Sequence, residues 1–137
     1  MPVSGEFVFT VEEANRTLPL VSSIVADVAQ KWGELIQVRE EYGNSSPDHD
    51  RIMRELAEYA QELKSLGCHL KDFELGLVEF PGTVRKRRVL LSWKLGEEDV
   101  AYMYRGDQDP SERVPIPDPA TKSGSSVKRA SSRSKTV

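Results

Sequence analysis

Lys71, Asp72, Glu79, Glu97 and Arg113 are the residues of this chain whose types could do chemistry together. Carboxylates flanked by cations can exchange a proton, provided their surroundings push the pKa values apart. The same set can instead be an ion-pair and loop-capping group that pins neighbouring elements, and the sequence favours that reading over a polar-ligand site. Trp93 would wall such a site. Cys68 and His69 invite a metal or nucleophile reading, but neighbours on an extended segment point to opposite faces and cannot share one centre. Cys68 is therefore expected as a small buried hydrophobe, His69 as an exposed or half-exposed polar residue and His49, in the first turn of a helix, as solvated. A single cysteine excludes an internal disulfide and a zinc site built from cysteine pairs. No metal and no cofactor is implied.

Charge narrows the partner. All 22 acidic residues lie at or before Asp118, whereas five of the 19 basic residues lie beyond it, so residues 1 to 120 carry 14 basic against 22 acidic groups, a net of −8. An acidic body speaks against nucleic acid as the main ligand, because such binding rests on cations that neutralise phosphates. Trp93, Tyr102 and Tyr104 could stack on bases, yet aromatics on strands are more often cross-strand partners. Arg85-Lys86-Arg87-Arg88, the basic run of the body, reads as a charged strand edge that discourages edge-to-edge pairing. In the tail, Lys128-Arg129-Ala130-Ser131-Ser132 has the form of a basophilic phosphorylation site, with a flexible solubilising segment as the stronger reading.

The elements that must position these residues follow from spacing. Thr10-Val11-Glu12-Glu13 is a capping box that starts a helix, and Pro19 predicts a kink or break near Thr17 or Leu18. Beyond it Leu18, Val21, Val25, Val28, Trp32 and Leu35 alternate steps of three and four, which is an a/d seam. Gly43 to Pro47 turns the chain, with Ser46 as N-cap. Ile52, Leu56, Tyr59, Leu63 and Leu66 then repeat the seam until Gly67, where a left-handed C-cap wants glycine. The result is an antiparallel hairpin about 35 Å long at 1.5 Å per residue. Ile24, Ile36 and Met53 widen its apolar stripe, so a sheet or a second copy must cover it.

After Gly67 the period falls to two. Val89, Leu91, Trp93 and Leu95 share one face of a strand, Gly96 to Asp99 is a turn, and Val100 to Tyr104 is the returning strand. Cys68 to Leu70 and Gly76 to Phe80 are shorter strands, with room for one more at an edge. The fold class is α+β: a single domain over residues 1–116, with a disordered Ser/Lys/Arg-rich tail over 117–137. The run Leu18 to Ala29 contains Pro19, Ser22, Ser23 and Asp27 and has no basic flank, so neither a signal peptide nor a membrane span is expected. The expected location is the cytoplasm.

Glu13-Ala14-Asn15, Leu18-Pro19, Leu66-Gly67, Lys71-Asp72, Gly76 to Pro81 and Trp93 to Glu97 together resemble the bacterial family catalogued as domain of unknown function 2203, over roughly Phe7 to Ile116. The resemblance implies a fold and a bacterial cytoplasmic setting, and carries no activity. The family pattern commonly places a cysteine before the strand tryptophan and an aromatic-His pair in the returning strand. This chain has Ser92 and Met103-Tyr104 there, which speaks against carrying over any thiol or imidazole chemistry at those positions. The family's Gly-Phe-rich segment before an arginine is replaced by Asp107 to Glu112, with Arg113 retained.

Two functions are expected from these readings. One is a non-catalytic interaction or scaffold protein that self-associates through the helical hairpin, with Val25, Val28, Trp32 and Leu35 at the interface. The other is a polar-ligand binder or unrecognised enzyme using Lys71, Asp72, Glu79, Trp93, Glu97 and Arg113.

Overall fold

The computed structural model of the chain describes residues 7–117. The disordered tail expected over 117–137 lies, apart from residue 117, outside the described residues. Helix α1 spans Val11–Tyr42 and helix α2 spans Pro47–Ser65. The capping box is present: Thr10 Oγ1 accepts the Glu13 amide at 3.1 Å, and Glu13 Oε1 accepts the Thr10 amide at 2.9 Å. At the start of α2, Ser46 Oγ accepts the His49 amide at 3.1 Å and Pro47 occupies the first helical position, where its missing N–H is no loss. Gly67, at φ 97°, ends α2. Its amide reaches the Lys64 carbonyl at 2.9 Å and the Cys68 amide reaches the Leu63 carbonyl at 3.2 Å, the paired bonds of a Schellman motif.

The break expected at Thr17 or Leu18 does not occur: α1 runs unbroken through Pro19. Proline costs about 3 kcal/mol in a helix interior through a lost ladder bond and a steric clash. Here Pro19 lies on the exposed side, while Ala14, Leu18, Val21, Ile24 and Val25 are buried on both sides of it. The buried surface on either flank outweighs the local fault.

Arg39 of α1 meets His49 of α2, and Lys31 meets Glu55, so the helices run antiparallel. Five strands follow as an antiparallel meander in sequence order: β1 His69–Asp72, β2 Leu77–Val84, β3 Arg87–Lys94, β4 Tyr102–Tyr104 and β5 Val114–Pro115. β5 is the additional edge strand that the sequence left room for. The returning strand is shorter than expected because Val100 is fixed differently. Its amide donates to Asn15 Oδ1 at 2.7 Å and its carbonyl accepts from Asn15 Nδ2 at 3.3 Å, a clamp between α1 and the approach to β4. Phe9 adds a parallel bridge to Gly82, close enough that a Cβ there would lie 2.6 Å from the Phe9 carbonyl oxygen.

The inner face of the sheet packs on the helices. Val78, Phe80, Leu91 and Trp93 join Leu18, Val21, Ile24, Val25 and Leu63 in one core, and Val28, Leu35, Ile52 and Leu56 form a second along the hairpin. The seam assigned to an intermolecular interface is therefore internal. Val25, Val28 and Leu35 are fully buried within the chain, and Trp32 is half-buried against Phe73 at 6.0 Å between centroids. An a/d spacing asks only for a covering layer, and α2 with the sheet supplies it. His49 is likewise not solvated. It is buried, with Nε2 accepting from Arg39 Nε at 3.1 Å.

β2 and β3 continue beyond their neighbours: β1 pairs with β2 only as far as Glu79, and β4 with β3 only from Leu90. Val84 pairs with Arg87, so Arg85-Lys86 is a two-residue hairpin turn, with φ 54° and 69°. Such a turn favours Asn-Gly, and a left-handed residue with a side chain costs about 1 kcal/mol. The expected charged strand edge is thus divided: Arg85 and Lys86 form the tip, and only Arg87 and Arg88 lie in the strand.

Candidate functional site

Strand register places His69, Glu79, Ser92, Tyr102 and Pro115 in one row across all five strands. Side chains alternate along each strand, so this row occupies the outer face, away from Val78 and Trp93. Arg113, just before β5, folds back over it. Its guanidinium binds the Glu97 carboxylate through both terminal nitrogens, donates to Ser92 Oγ at 3.3 Å, and stacks over the Tyr102 ring at 4.1 Å. Fork-to-carboxylate pairing with an aromatic shelf is an arrangement lysine could not reproduce.

The second half of the cluster lies one strand over. The Tyr104 hydroxyl donates to Glu79, and Lys71 Nζ stands 4.0 Å from the same carboxylate. Glu79 and Glu97 keep only 13% and 21% of their side chains exposed, so neither is a freely solvated surface acid. Burial alone raises the Glu97 pKa, but the Arg113 hydrogen bonds, the Lys94 amide at 3.0 Å and nearby positive charge outweigh it and hold the carboxyl below its ordinary value. Burial, then the Glu79 carboxylate, holds the Tyr104 phenol well above its ordinary value. Both effects favour the state already present, Glu97 ionised and Tyr104 protonated.

Of the residues singled out by sequence, Lys71 with Glu79 and Glu97 with Arg113 are brought together. Asp72 is not. Its carboxylate accepts the Leu75 amide at 2.9 Å within the β1–β2 turn. Trp93 belongs to the inner face, where its indole N–H donates to the Glu97 carbonyl at 3.0 Å. Cys68 is buried as expected; burial pushes its thiol up to about 12, and Sγ donates to the Leu63 carbonyl at 3.4 Å. Sequence reasoning missed Ser92 and Tyr104 as members. The signal was present in the register, since Glu79, Ser92 and Tyr102 must share a rung once β2, β3 and β4 are paired, but Tyr104 reaches Glu79 diagonally.

Two depressions adjoin the cluster. One of about 310 Å³ is lined by His69, Glu79, Pro81, Arg88, Leu90 and Gly106 on the outer face. The other, about 570 Å³, lies between the start of α1 and the β3–β4 turn, lined by Asn15, Leu18, Pro19, Trp93 and Glu97 to Asp99. Among the described residues no three His, Cys, Asp or Glu side chains converge as metal ligands do, and no helix is long and apolar enough to cross a membrane.

Fold and cluster define a small α+β protein: a helical hairpin covers one face of a five-strand meander, and a cross-braced polar rung covers the other. The chain belongs to the family described as uncharacterized conserved protein (DUF2203), which matches over residues 8–116. No curated protein and no solved structure matched the sequence.

Proposed function

We propose that this protein is a non-catalytic cytoplasmic interaction protein that self-associates through its helical hairpin. Against catalysis stands the outer-face cluster, whose ionisable groups are bound to one another. Ser92 and Tyr104 stand where the family pattern would place a thiol and an imidazole-bearing pair, and both serve as hydrogen-bond partners there.

The observation that carries self-association is the solvent side of α1. Pro19, Ser23, Ala26, Gln30, Gly33 and Gln37 recur at alternating steps of four and three, are all exposed and are all uncharged, in a chain that is 30% charged. Leu20, 52% exposed, flanks them. Gly33 has no internal reason: a Cβ there would meet nothing within 4 Å, and mid-helix glycine costs about 0.5–1 kcal/mol relative to alanine. A second helix lying along this second seam would give the small residues a purpose. Sedimentation equilibrium at tens of micromolar is expected to show an oligomer that Gly33→Glu converts to monomer. A wild-type monomer under those conditions removes the reading.

The outer-face depression supports a second reading, a site for a small polar ligand held by Glu79 with Lys71, while Arg113 and Glu97 brace it. Ligand-dependent thermal stabilisation that disappears in Glu79→Gln would favour it.

A further inference from the structure

The hairpin tip at Arg85-Lys86 is the one feature of the sheet that works against its own fold. Both residues are left-handed, in a turn where Asn-Gly is preferred, and both carry a positive charge at the far end of the β2–β3 hairpin. Protection against edge-to-edge pairing does not explain them, because that task falls to residues along an edge, such as Arg87 and Arg88, not to a turn. Arg85, Lys86 and Arg87 are exposed and form no ion pair among the described residues.

The complementary charge is found on the chain itself. With residues 85–88 set aside, the first 120 residues carry 22 acidic against 10 basic groups. On the solvent side of α2, Glu58 and Glu62 are exposed without an ion pair among the described residues. With Glu55, Lys31 and Tyr59 they line a depression of about 330 Å³, wide enough for a guanidinium. Lys31 answers only Glu34 and Glu55, leaving the rest of the depression acidic.

We infer that the Arg85-Lys86 tip of one copy docks on the acidic α2 face of a second copy, at Glu58 and Glu62. This rests on the reading that the chain self-associates and adds a second, electrostatic contact to the uncharged α1 seam. Such a contact either closes a pair, when each tip meets the other copy's α2 face reciprocally, or is heterologous and extends the assembly or closes it as a ring. Nucleic acid fits less well, because every phosphate beyond the tip would face the acidic body.

Salt separates the two contacts, since exposed charge pairs weaken between about 50 mM and 500 mM salt and an uncharged seam does not. Sedimentation velocity on the full chain is expected to show association about tenfold weaker at the higher concentration. Arg85→Asn with Lys86→Gly relieves the turn, so this variant should melt a few degrees higher yet associate about tenfold more weakly at low salt. Arg85→Glu with Lys86→Glu, and separately Glu58→Lys with Glu62→Lys, should each lose the salt-sensitive association and regain it on mixing. An Asn-Gly variant that associates as tightly as wild type overturns the inference. So does tip-dependent binding of duplex DNA or anionic vesicles with self-association untouched. If Gly33→Glu dissociates the protein while tip variants leave it unchanged, the α1 reading stands and this one falls; the reverse pattern selects the tip.

Discussion

The two faces of the sheet share the two eight-residue strands β2 and β3 and are held by different forces. On the inner face Val78, Phe80, Leu91 and Trp93 are shut off from water against the helices, and their contribution is non-directional burial. On the outer face Glu79, Ser92, Tyr102 and Tyr104 are joined by a few directional bonds that Arg113 completes from outside the strands. Inner residues can be exchanged for others of similar volume, whereas an outer residue fails when its one partner is lost. Strength therefore resides on one face and chemical individuality on the other.

Several substitutions would sharpen or break that contrast. Phe80→Ala opens a cavity in the inner face and is expected to cost about 3–5 kcal/mol, read as a lowered midpoint in urea unfolding. A loss under about 1 kcal/mol would refute the division. Arg113→Ala removes a guanidinium from a carboxylate that is a fifth exposed; the full cost of breaking a buried pair must be discounted for that solvent, leaving about 2 kcal/mol. Arg113→Lys should recover less than half, because an ammonium cannot supply the fork.

Tyr104→Phe deletes one hydroxyl and should cost about 1 kcal/mol, with a pH signature that packing loss lacks. Because the folded phenol titrates above its unfolded value near 10, its contribution is full below that pH and is lost as pH rises beyond it. The variant should lack that alkaline decline. Glu97 behaves oppositely. Its folded pKa is depressed, so its contribution is present above its unfolded value near 4.3 and is lost as pH falls through the folded one. That acid limb should flatten in Arg113→Ala. The smallest effect expected is a gain: Gly33→Ala should raise monomer stability by about 0.5–1 kcal/mol, measured under dissociating conditions.

What sequence could reveal follows the same division. The seam of α1 and α2, the stop at Gly67 and the inward set Val89, Leu91, Trp93 and Leu95 were legible because periodicity records burial. Pro19 does not break α1 because propensity is local while the burial that overrides it is tertiary. Val25, Val28 and Leu35 were assigned to a partner because spacing shows that a face must be covered but not by what. The outer cluster was half legible: Lys71, Glu79, Glu97 and Arg113 were named as one set without their pairing, and Asp72 was lost to a local turn. Tyr104 entered through a diagonal that only register defines.

The Asn15–Val100 clamp sets an order of events during synthesis. Its halves are 85 residues apart, so the loop it closes contains the second helix and the first three strands. As the chain emerges from its N-terminus, α1 and α2 can pair early through contacts that are near in sequence. The amide and carbonyl that Asn15 serves do not yet exist, and Leu18, Val21 and Ile24 wait with no sheet above them. A nascent chain halted before β2 begins at Leu77 is thus a hairpin with an apolar flank open to whatever binds unfinished chains. β2 and β3 end that exposure, and the polar bonds of one asparagine then lock the sheet to the first helix.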